Sequence, residues 1–304
     1  MLNQRFGIEL EYNSFSENKE ENVLPSGLME AAYVLMESIN KNVYVSNWHT
    51  TVGNDYWIIK PDSSCGFEIC SPILKSEKDL IELKNIIKSI RKKGIFLSDK
   101  KCSFHIHFEL NDISNDFLSN LIVSWIRLEL FFFSLLPNSR KQTNYAQMLS
   151  LSSLFFYNQE KGLENLIINQ DMIINHIKDY KFYSINLYHF KKSNRKTIEF
   201  RIMDSSACLN EEYAYYWILL FNKFMESCNK INYFINGNLN FDYLKWLNAE
   251  ESFDFLKISK SSKIFNFCKS RFYNYSLNNA DLNMSVFKNI FECFSRQTKK
   301  YFEK

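Results

Sequence analysis

The segment FGIELEY, residues 6–12, alternates apolar and polar side chains with a period of two. This alternation predicts a β-strand with one buried face. The opposite face carries Glu9 and Glu11, which lie about 7 Å apart on an extended chain. Two neighbouring carboxylates repel each other and add little to strand stability. Strand formation therefore does not explain why both are present.

Three later segments repeat this pattern of one apolar and one ionisable face: FEICS (67–71), CSFHIHFEL (102–110) and KTIEFRIMD (196–204). An antiparallel sheet with one solvated face accounts for each segment taken singly. A solvated face usually carries Lys, Thr and Gln as well, whereas these faces carry the motifs Glu-x-Glu, Glu, His-x-His and Glu-x-Arg. The ionisable residues of the three later motifs are Glu68, His105, His107, Glu199 and Arg201.

These motifs place carboxylates and imidazoles on one surface if their strands share a sheet. The pKa values of the carboxylates would rise there without compensation, and bound divalent cations remove that conflict. Carboxylate ligands suit Mg²⁺ or Mn²⁺, and a mixed Glu and His position remains compatible with them. One arginine among such ligands, Arg201, suggests a bidentate grip on a phosphate group. Together these features indicate nucleotide-dependent phosphoryl transfer.

The nucleotide is expected to lie against the sheet rather than on a glycine loop. The sequence contains neither a Gly-x-x-x-x-Gly-Lys loop nor a Gly-x-Gly-x-x-Gly loop. Only 7 Gly and 4 Pro occur in 304 residues, which favours long helices mixed with strands over a sandwich of tight turns. Hydrophobic residues make up 46% and charged residues 23%, which excludes a disordered chain. The net charge of +3 is too small to imply a nucleic-acid partner.

Local signals outside the four strands predict helices and a reducing environment. Ser76 with Asp79 has the pattern of a capping box, and Ser114 is placed to cap a long apolar helix. Because that helix contains Glu129, we expect a buried helix and no membrane span. Seven cysteines without a Cys-x-x-Cys pair, and no signal peptide, indicate reduced thiols in the cytoplasm. The tail from Phe241 onward carries helical patterns only.

Five motifs, in this order, resemble those of the amidoligase family, a relative of glutamine synthetase and glutamate–cysteine ligase: FGIELEY, PDSSCGFEICSP, CSFHIHFEL, FYSINL and TIEFRIMD. The resemblance covers Arg5 to Asn229, about three-quarters of the chain. It implies an α+β fold with a curved antiparallel sheet of the glutamine synthetase catalytic type, backed by helices. We expect residues 1–230 to form the catalytic domain and residues 231–304 a mainly helical C-terminal extension packed on it.

The resemblance also implies ATP and two or more divalent cations, Mg²⁺ or in its place Mn²⁺. Carried over by motif, Glu11 and Glu68 hold one ion, and Glu9, His105 and Glu199 hold the other.

Catalytic and substrate contacts follow from the same resemblance. It implies that Arg201 holds the γ-phosphate and that His107 contacts the nucleotide phosphates. It also implies that Glu199 is a catalytic residue together with these two. The segment PDSSCG departs from the family pattern, which tends to have glycine where this chain has Ser63. The residues expected to bind the substrate are Arg140 and Tyr145 from SRKQTNY, Asn186 from FYSINL, and Asp62 from PDSSCG.

The expected function is ATP-dependent ligation of a carboxylate to an amine through an acyl phosphate, giving ADP and phosphate. The expected partners are an amino acid or peptide with a free carboxylate and an amine donor, with no nucleic acid and no membrane. Two alternatives stay open: a Zn or Fe enzyme built on His-x-His, and an inactive ligase fold that acts as a binding protein. The sequence leaves the substrate pair and the oligomeric state undetermined.

Overall fold

The computed structural model describes a mixed α+β protein that consists of two compact units. The first unit comprises Met1–Glu109 and Met203–Leu219, and the second comprises Leu110–Ile202 and Leu220–Lys304. The described residues are 4–13, 24–39, 42–46, 55–93, 96, 98–110, 113–141, 143–152, 168–178, 180–188, 196–240, 244–275 and 285–303.

The elements in these residues include both strands and helices. In chain order they are β1 (Phe6–Tyr12), α1 (Leu24–Ile39), β2 (Val43–Val45), β3 (Trp57–Asp62), β4 (Gly66–Cys70), α2 (Glu77–Lys93), β5 (Ser103–Glu109), α3 (Asn115–Ser134), α4 (Asn138–Lys141), a 3₁₀ turn (Leu149–Leu151), α5 (Gln170–Lys178), β6 (Ile185–Asn186), β7 (Thr197–Asp204), α6 (Ser206–Leu209), α7 (Glu211–Cys228), β8 (Phe234–Ile235), β9 (Asn238–Leu239), α8 (Ala249–Phe255), α9 (Lys263–Tyr275) and α10 (Ser285–Glu303).

The first unit is built on five of these strands, in the order β2-β3-β4-β1-β5. The pair β2–β3 is parallel, and the pairs β3–β4, β4–β1 and β1–β5 are antiparallel. One face of β1 is buried, since Ile8 and Leu10 are at most 2% exposed. Helices α1 and α2 contact each other, and α1 also contacts β3. The alternation predicted for β1, β4 and β5 is confirmed, and it leaves their polar face for the site.

Helix starts follow the predicted caps. The backbone N–H of Asp79 donates to Ser76 Oγ over 3.2 Å, and the N–H of Ser76 donates to Asp79 Oδ2 over 2.9 Å, which completes the capping box before α2. Ser114 Oγ accepts from the N–H of Phe117 over 3.1 Å at the start of α3. Each cap satisfies backbone donors that the first helical turn leaves without a partner.

The second unit is organised around α3, the long apolar helix. By length and composition α3 could cross a membrane, but 89% of its most apolar window is buried within the protein. Glu129 lies in the middle of this helix and is fully buried. Its carboxylate accepts from the N–H groups of Leu149 and Ser150, each over 2.7 Å, and from Ser184 Oγ. These donors explain how the helix carries a carboxylate in its apolar interior.

Strands β6 and β7 form an antiparallel pair in the second unit, with Asn186 opposite Glu199. The composition of KFYSINLYHF (181–190) also predicts a strand. The strand observed there, β6, comprises two residues only, and residues 189 and 190 lie outside the described part of the chain. On the other face of β7, Phe200 stacks on Phe221 with ring centroids 4.5 Å apart. Burial of this ring fixes which face of β7 presents Glu199.

Among the described residues after Cys228, one hairpin precedes the helices α8, α9 and α10. Asn236 and Gly237 both have positive φ, 51° and 79°, and join β8 to β9 in the way that two-residue hairpin turns require. Helices α8 and α10 contact α3. The division into compact units therefore places α8 to α10 in the same unit as α3. The division at residue 230, which concerns function, stays a prediction, as does the glutamine synthetase type of sheet curvature.

Candidate active site

The polar face of the first-unit sheet brings the predicted motifs of that unit together. Strand register places Glu9 opposite Cys70 on β4 and opposite His105 on β5. It also places Glu11 opposite Glu68. We call this surface the carboxylate–histidine face; its residues are Glu9, Glu11, Lys60, Glu68, Cys70, His105 and His107.

Glu9 lies between the two histidines. Its Oε2 atom is 2.9 Å from His105 Nδ1, and its Oε1 atom is 3.2 Å from His107 Nε2. Burial opposes ionisation of Glu9, but the charge of His107 and the hydrogen bonds from both imidazoles outweigh it. The pKa of the Glu9 carboxyl therefore lies well below its ordinary value.

Glu11 is the second carboxylate of β1, and it is almost completely buried. Ser103 Oγ donates to Glu11 Oε2 over 2.6 Å. The other oxygen, Oε1, is 3.6 Å from His105 Nε2. His105, which is 2% exposed, thus lies between both carboxylates of the Glu-x-Glu motif, and their side chains are held in fixed positions.

Glu68 forms an ion pair with Lys60 through Oε1 and Nζ. Burial and the negative charge of Glu9 raise the pKa of Glu68 to about 8, and Lys60 offsets this only in part. Burial disfavours the Lys60 ammonium, but the charge of Glu68 outweighs burial and raises the pKa of Lys60. A cationic group is thus already drawn into this carboxylate surface.

The donor set of this face fits a divalent cation. Ligand atoms of Glu9, Glu68 and Cys70 all lie within 4.8 Å of one another. Glu11 and His105 add carboxylate and imidazole donors on the adjacent strands. Oxygen and imidazole ligands accept Mg²⁺ or Mn²⁺, so the chemistry of these donors suits either ion.

Lys60 and Cys70 are members of this face that the sequence did not single out. The position of each residue in its strand is a sequence feature that bears on its membership of this face. Cys70 follows Glu68 by two residues on β4, so it lies on the same face. Lys60 interrupts the apolar strand β3, and its pairing with Glu68 becomes visible only with the register between β3 and β4.

The second unit holds another group of predicted residues around Glu199. This carboxylate is 2% exposed; Asn186 Nδ2 donates to its Oε2 over 2.6 Å, and Arg201 Nη1 donates to its Oε1 over 2.5 Å. Arg201 Nε also donates to the carbonyl oxygen of Tyr145 over 3.2 Å. The guanidinium of Arg201 is therefore fixed in orientation by two contacts.

Arg140 holds the main chain of β7. It is 3% exposed, its Nε donates to the carbonyl of Ile202 over 3.2 Å, and its Nη2 donates to the carbonyl of Arg201. This geometry positions the backbone that carries Arg201. Tyr145, in contrast, is 51% exposed, with its ring packed against Phe182 at 5.8 Å. The substrate contacts expected of Arg140 and Tyr145 stay predictions.

Asp62 shapes the turn between β3 and β4. Its Oδ1 accepts from the N–H of Ser64 over 2.7 Å and from the N–H of Cys65 over 3.2 Å. Burial opposes ionisation of Asp62, but these hydrogen bonds outweigh it and lower its pKa. A substrate contact for Asp62 also stays a prediction, as does one for Asn186, whose amide is committed to Glu199.

Comparison with protein families identifies the family of the chain. The family model described as "Putative amidoligase enzyme" matches residues 2–223, which include both groups of motif residues. The chain belongs to the amidoligase family. A search of curated protein sequences gave no match.

Two solved structures share a low level of similarity with the chain. A bifunctional glutathione synthetase from Pasteurella multocida is 10% identical with a TM-score of 0.41, over 98% of this chain and 53% of that protein. The complex of the prokaryotic ubiquitin-like protein Pup with its ligase PafA gives 10% identity and a TM-score of 0.36, over 97% of this chain and 63% of that chain. The chain spans less than two thirds of either protein, and at these scores neither likeness carries an argument.

Proposed function

We propose that this amidoligase uses ATP to join a carboxylate to an amine. The observation that carries the proposal is the carboxylate–histidine face, where Glu9, Glu11, Glu68 and His105 come together on paired strands. A sheet face built for stability alone has no use for carboxylates at this density, because each buried one costs free energy unless it is paired. Family membership supplies the reaction class.

Mg²⁺ or Mn²⁺ is proposed to bind at this face. Glu11 and Glu68 are proposed to hold one ion and Glu9 with His105 another, and Glu199 on β7 is proposed as a further metal ligand, as the family motifs imply. Bound there, divalent ions neutralise charge on the transferring phosphate. The fixed contacts of Glu9 with His105 and of Glu11 with Ser103 keep these carboxylates in position for binding.

The reaction is proposed to run in two steps. A carboxylate oxygen of the substrate attacks the γ-phosphorus of ATP, and ADP leaves with the electrons of the broken P–O bond. The amine nitrogen then attacks the acyl carbon, loses a proton, and releases inorganic phosphate. The products are an amide, ADP and phosphate, and the net change is loss of one water from the two substrates.

Arg201 is proposed to bind the γ-phosphate. Its guanidinium is a planar donor fork that suits the oxygens of a phosphoryl group. The contacts of Arg201 with Glu199 and with the carbonyl of Tyr145 support this role because they orient the fork before the ligand arrives. Arg140 contributes by fixing the backbone of β7, and Asn186 by holding Glu199. His107, beside Glu9, is proposed to contact the nucleotide phosphates.

The proposed substrates are an amino acid or peptide with a free carboxylate and a second molecule with an amine. Among the predicted substrate residues, Tyr145 is the exposed one, and we assign it the direct contact. Asp62 is proposed to act by shaping the loop between β3 and β4.

The test is incubation of the protein with ATP, Mg²⁺ and pools of amino acids and peptides. Mass spectrometry should find a product that equals two substrates less one water, together with ADP and phosphate. Hydroxylamine in place of the amine should give a hydroxamate, because it intercepts an acyl phosphate. Formation of AMP and pyrophosphate would overturn the proposed chemistry.

Variants link the activity to the site. Arg201→Lys should lower kcat at least about 100-fold, since an ammonium cannot reproduce the donor fork. The matched control is Arg296→Lys on α10, an exposed arginine whose replacement should leave turnover unchanged. Equal activity of the Arg201→Lys variant and the wild-type protein would exclude a phosphate-binding role for Arg201.

A further inference from the structure

Cys70 is the thiol of the carboxylate–histidine face. Strand register places it opposite Glu9, and it follows Glu68 on the same face of β4. Its Sγ atom is 3.6 Å from Glu68 Oε1. One ligand atom each from Glu9, Glu68 and Cys70 lies within 4.8 Å of the others, a spacing at which a single ion can contact all three.

We propose that Glu9, Glu68 and Cys70 form a mixed carboxylate–thiolate position that selects a thiophilic divalent cation, Zn²⁺ in the first place, over Mg²⁺. Sulfur ligands favour Zn²⁺, whereas Mg²⁺ takes oxygen ligands almost exclusively. The Cys70 thiol releases its proton to solvent when sulfur binds the ion, so one thiolate and two carboxylates face a dication. This position uses two carboxylates of the proposed Mg²⁺ sites, and Zn²⁺ therefore competes with Mg²⁺ for them.

Lys60 weakens the binding of a cation at this position. Its ammonium is paired with Glu68 Oε1, so an ion that binds Glu68 must displace Lys60 from that oxygen. Removing the ammonium while keeping a side chain of similar length, as in Lys60→Gln, should therefore tighten Zn²⁺ binding. The direction is opposite to that expected for loss of the thiol, which gives the inference a second, independent readout.

Cobalt is the spectroscopic probe for this site. Co²⁺ replaces Zn²⁺ in mixed sulfur sites, and a thiolate ligand gives it a charge-transfer band in the near ultraviolet. The full-length protein, free of nucleotide and kept reduced with a phosphine, should show this band on titration with Co²⁺. Cys70→Ser should abolish the band, whereas the control Cys65→Ser, which removes a half-buried thiol from the adjacent turn, should retain it.

Calorimetric titration separates the two cations. In Cys70→Ser the affinity for Zn²⁺ should fall at least about tenfold while that for Mg²⁺ changes much less, and in Lys60→Gln the affinity for Zn²⁺ should rise. A charge-transfer band that survives in Cys70→Ser, or unchanged Zn²⁺ affinity in that variant, overturns the inference. If Cys70→Ser fails to fold, Lys60→Gln decides, and the absence of tighter Zn²⁺ binding then counts against the site.

The inference rests on residues of the proposed active site, but its test uses neither ATP nor turnover. A protein that forms amides without a cobalt–thiolate band overturns the Zn²⁺ position alone. A protein that shows the band and lacks ATP-dependent ligation overturns the proposed function alone.

Discussion

At the scale of single residues, Glu9 on β1 and Glu68 on β4 have pKa values shifted in opposite directions on one face of the sheet. The histidines hold the pKa of Glu9 below its ordinary value, and burial raises that of Glu68 to about 8. Ionised Glu9 therefore stabilises the fold at neutral pH, and this stabilisation is lost as the pH falls through its folded pKa. Glu68 has the opposite sign: the folded protein holds an extra proton, and stability falls as the pH rises towards 8.

This difference predicts the behaviour of two matched variants without metal. Glu9→Gln should lower the free energy of unfolding at pH 7 by about 1–2 kcal/mol, because a charge-assisted hydrogen bond is lost. Glu68→Gln should lose less than Glu9→Gln at pH 7, because burial already disfavours the ionised Glu68, and its stability relative to the wild-type protein should rise as the pH passes the Glu68 pKa of about 8. Urea unfolding between pH 5 and pH 9 in the presence of a chelator measures both. Equal losses in the two variants at pH 7 would contradict this account.

Sequence alone predicted the residues of this face better than their pairing. Alternation with a period of two revealed Glu9, His105 and His107, because side-chain direction on a strand is a local property. Membership of Lys60 depends on register, which is decided by the packing of neighbouring strands. The environment that raises the pKa of Glu68 is likewise a property of the folded chain, since burial and the charge of Glu9 produce it.

At the scale of elements, Glu129 ties α3 to the 3₁₀ turn at Leu149–Leu151. The sequence predicted that this carboxylate lies in a buried helix. Its hydrogen-bond partners lie far along the chain, so no local sequence pattern indicates them. Its two oxygens accept from the N–H groups of Leu149 and Ser150 and from side chains, Ser184 among them. An ionised carboxylate accepts hydrogen bonds at both oxygens and donates none. An amide, which has one NH₂ group in place of an oxygen, cannot accept from all of these donors.

Glu129→Gln should therefore destabilise the protein by about 2–4 kcal/mol, since the amide nitrogen turns a donor towards donors in a buried site. Chemical denaturation with fluorescence detection measures the change. The control is Glu250→Gln, which replaces an exposed carboxylate on α8 and should change the free energy of unfolding by less than about 0.5 kcal/mol. A Glu129→Gln variant as stable as its control would show that these hydrogen bonds contribute little.

At the scale of the whole molecule, the proposed site links cation and nucleotide binding. The carboxylates of the carboxylate–histidine face repel phosphate until cations compensate them, so Mg²⁺ and an ATP analogue should stabilise the protein far more together than either does alone. With Mg²⁺ saturating, the ATP analogue at 100-fold excess over its dissociation constant should add about 2.7 kcal/mol. The melting temperature with each ligand and with both measures this coupling. Unchanged melting with both ligands present would argue against an ATP site.

The chain also passes between its two compact units three times, at residues 109/110, 202/203 and 219/220. Local sequence patterns cannot reveal such an arrangement, because it depends on contacts between distant segments. A chain that ends at residue 230 lacks α8 to α10, which belong to the second unit. It should lose cooperative unfolding and fixed aromatic packing, as near-ultraviolet circular dichroism and urea titration would report. A sharp transition like that of the full-length protein would support residues 1–230 as an independent domain.

The aromatic contact between α3 and α8 has an evolutionary consequence. The family match ends at residue 223, yet Phe253, thirty residues later, packs against Phe131 with ring centroids 5.1 Å apart. The segment that follows the family region thus contributes Phe253 to the aromatic packing around α3. We therefore expect lineages that inherit this chain to retain the coding sequence of α8, and substitutions at Phe253 to be tolerated no better than substitutions in the family motifs.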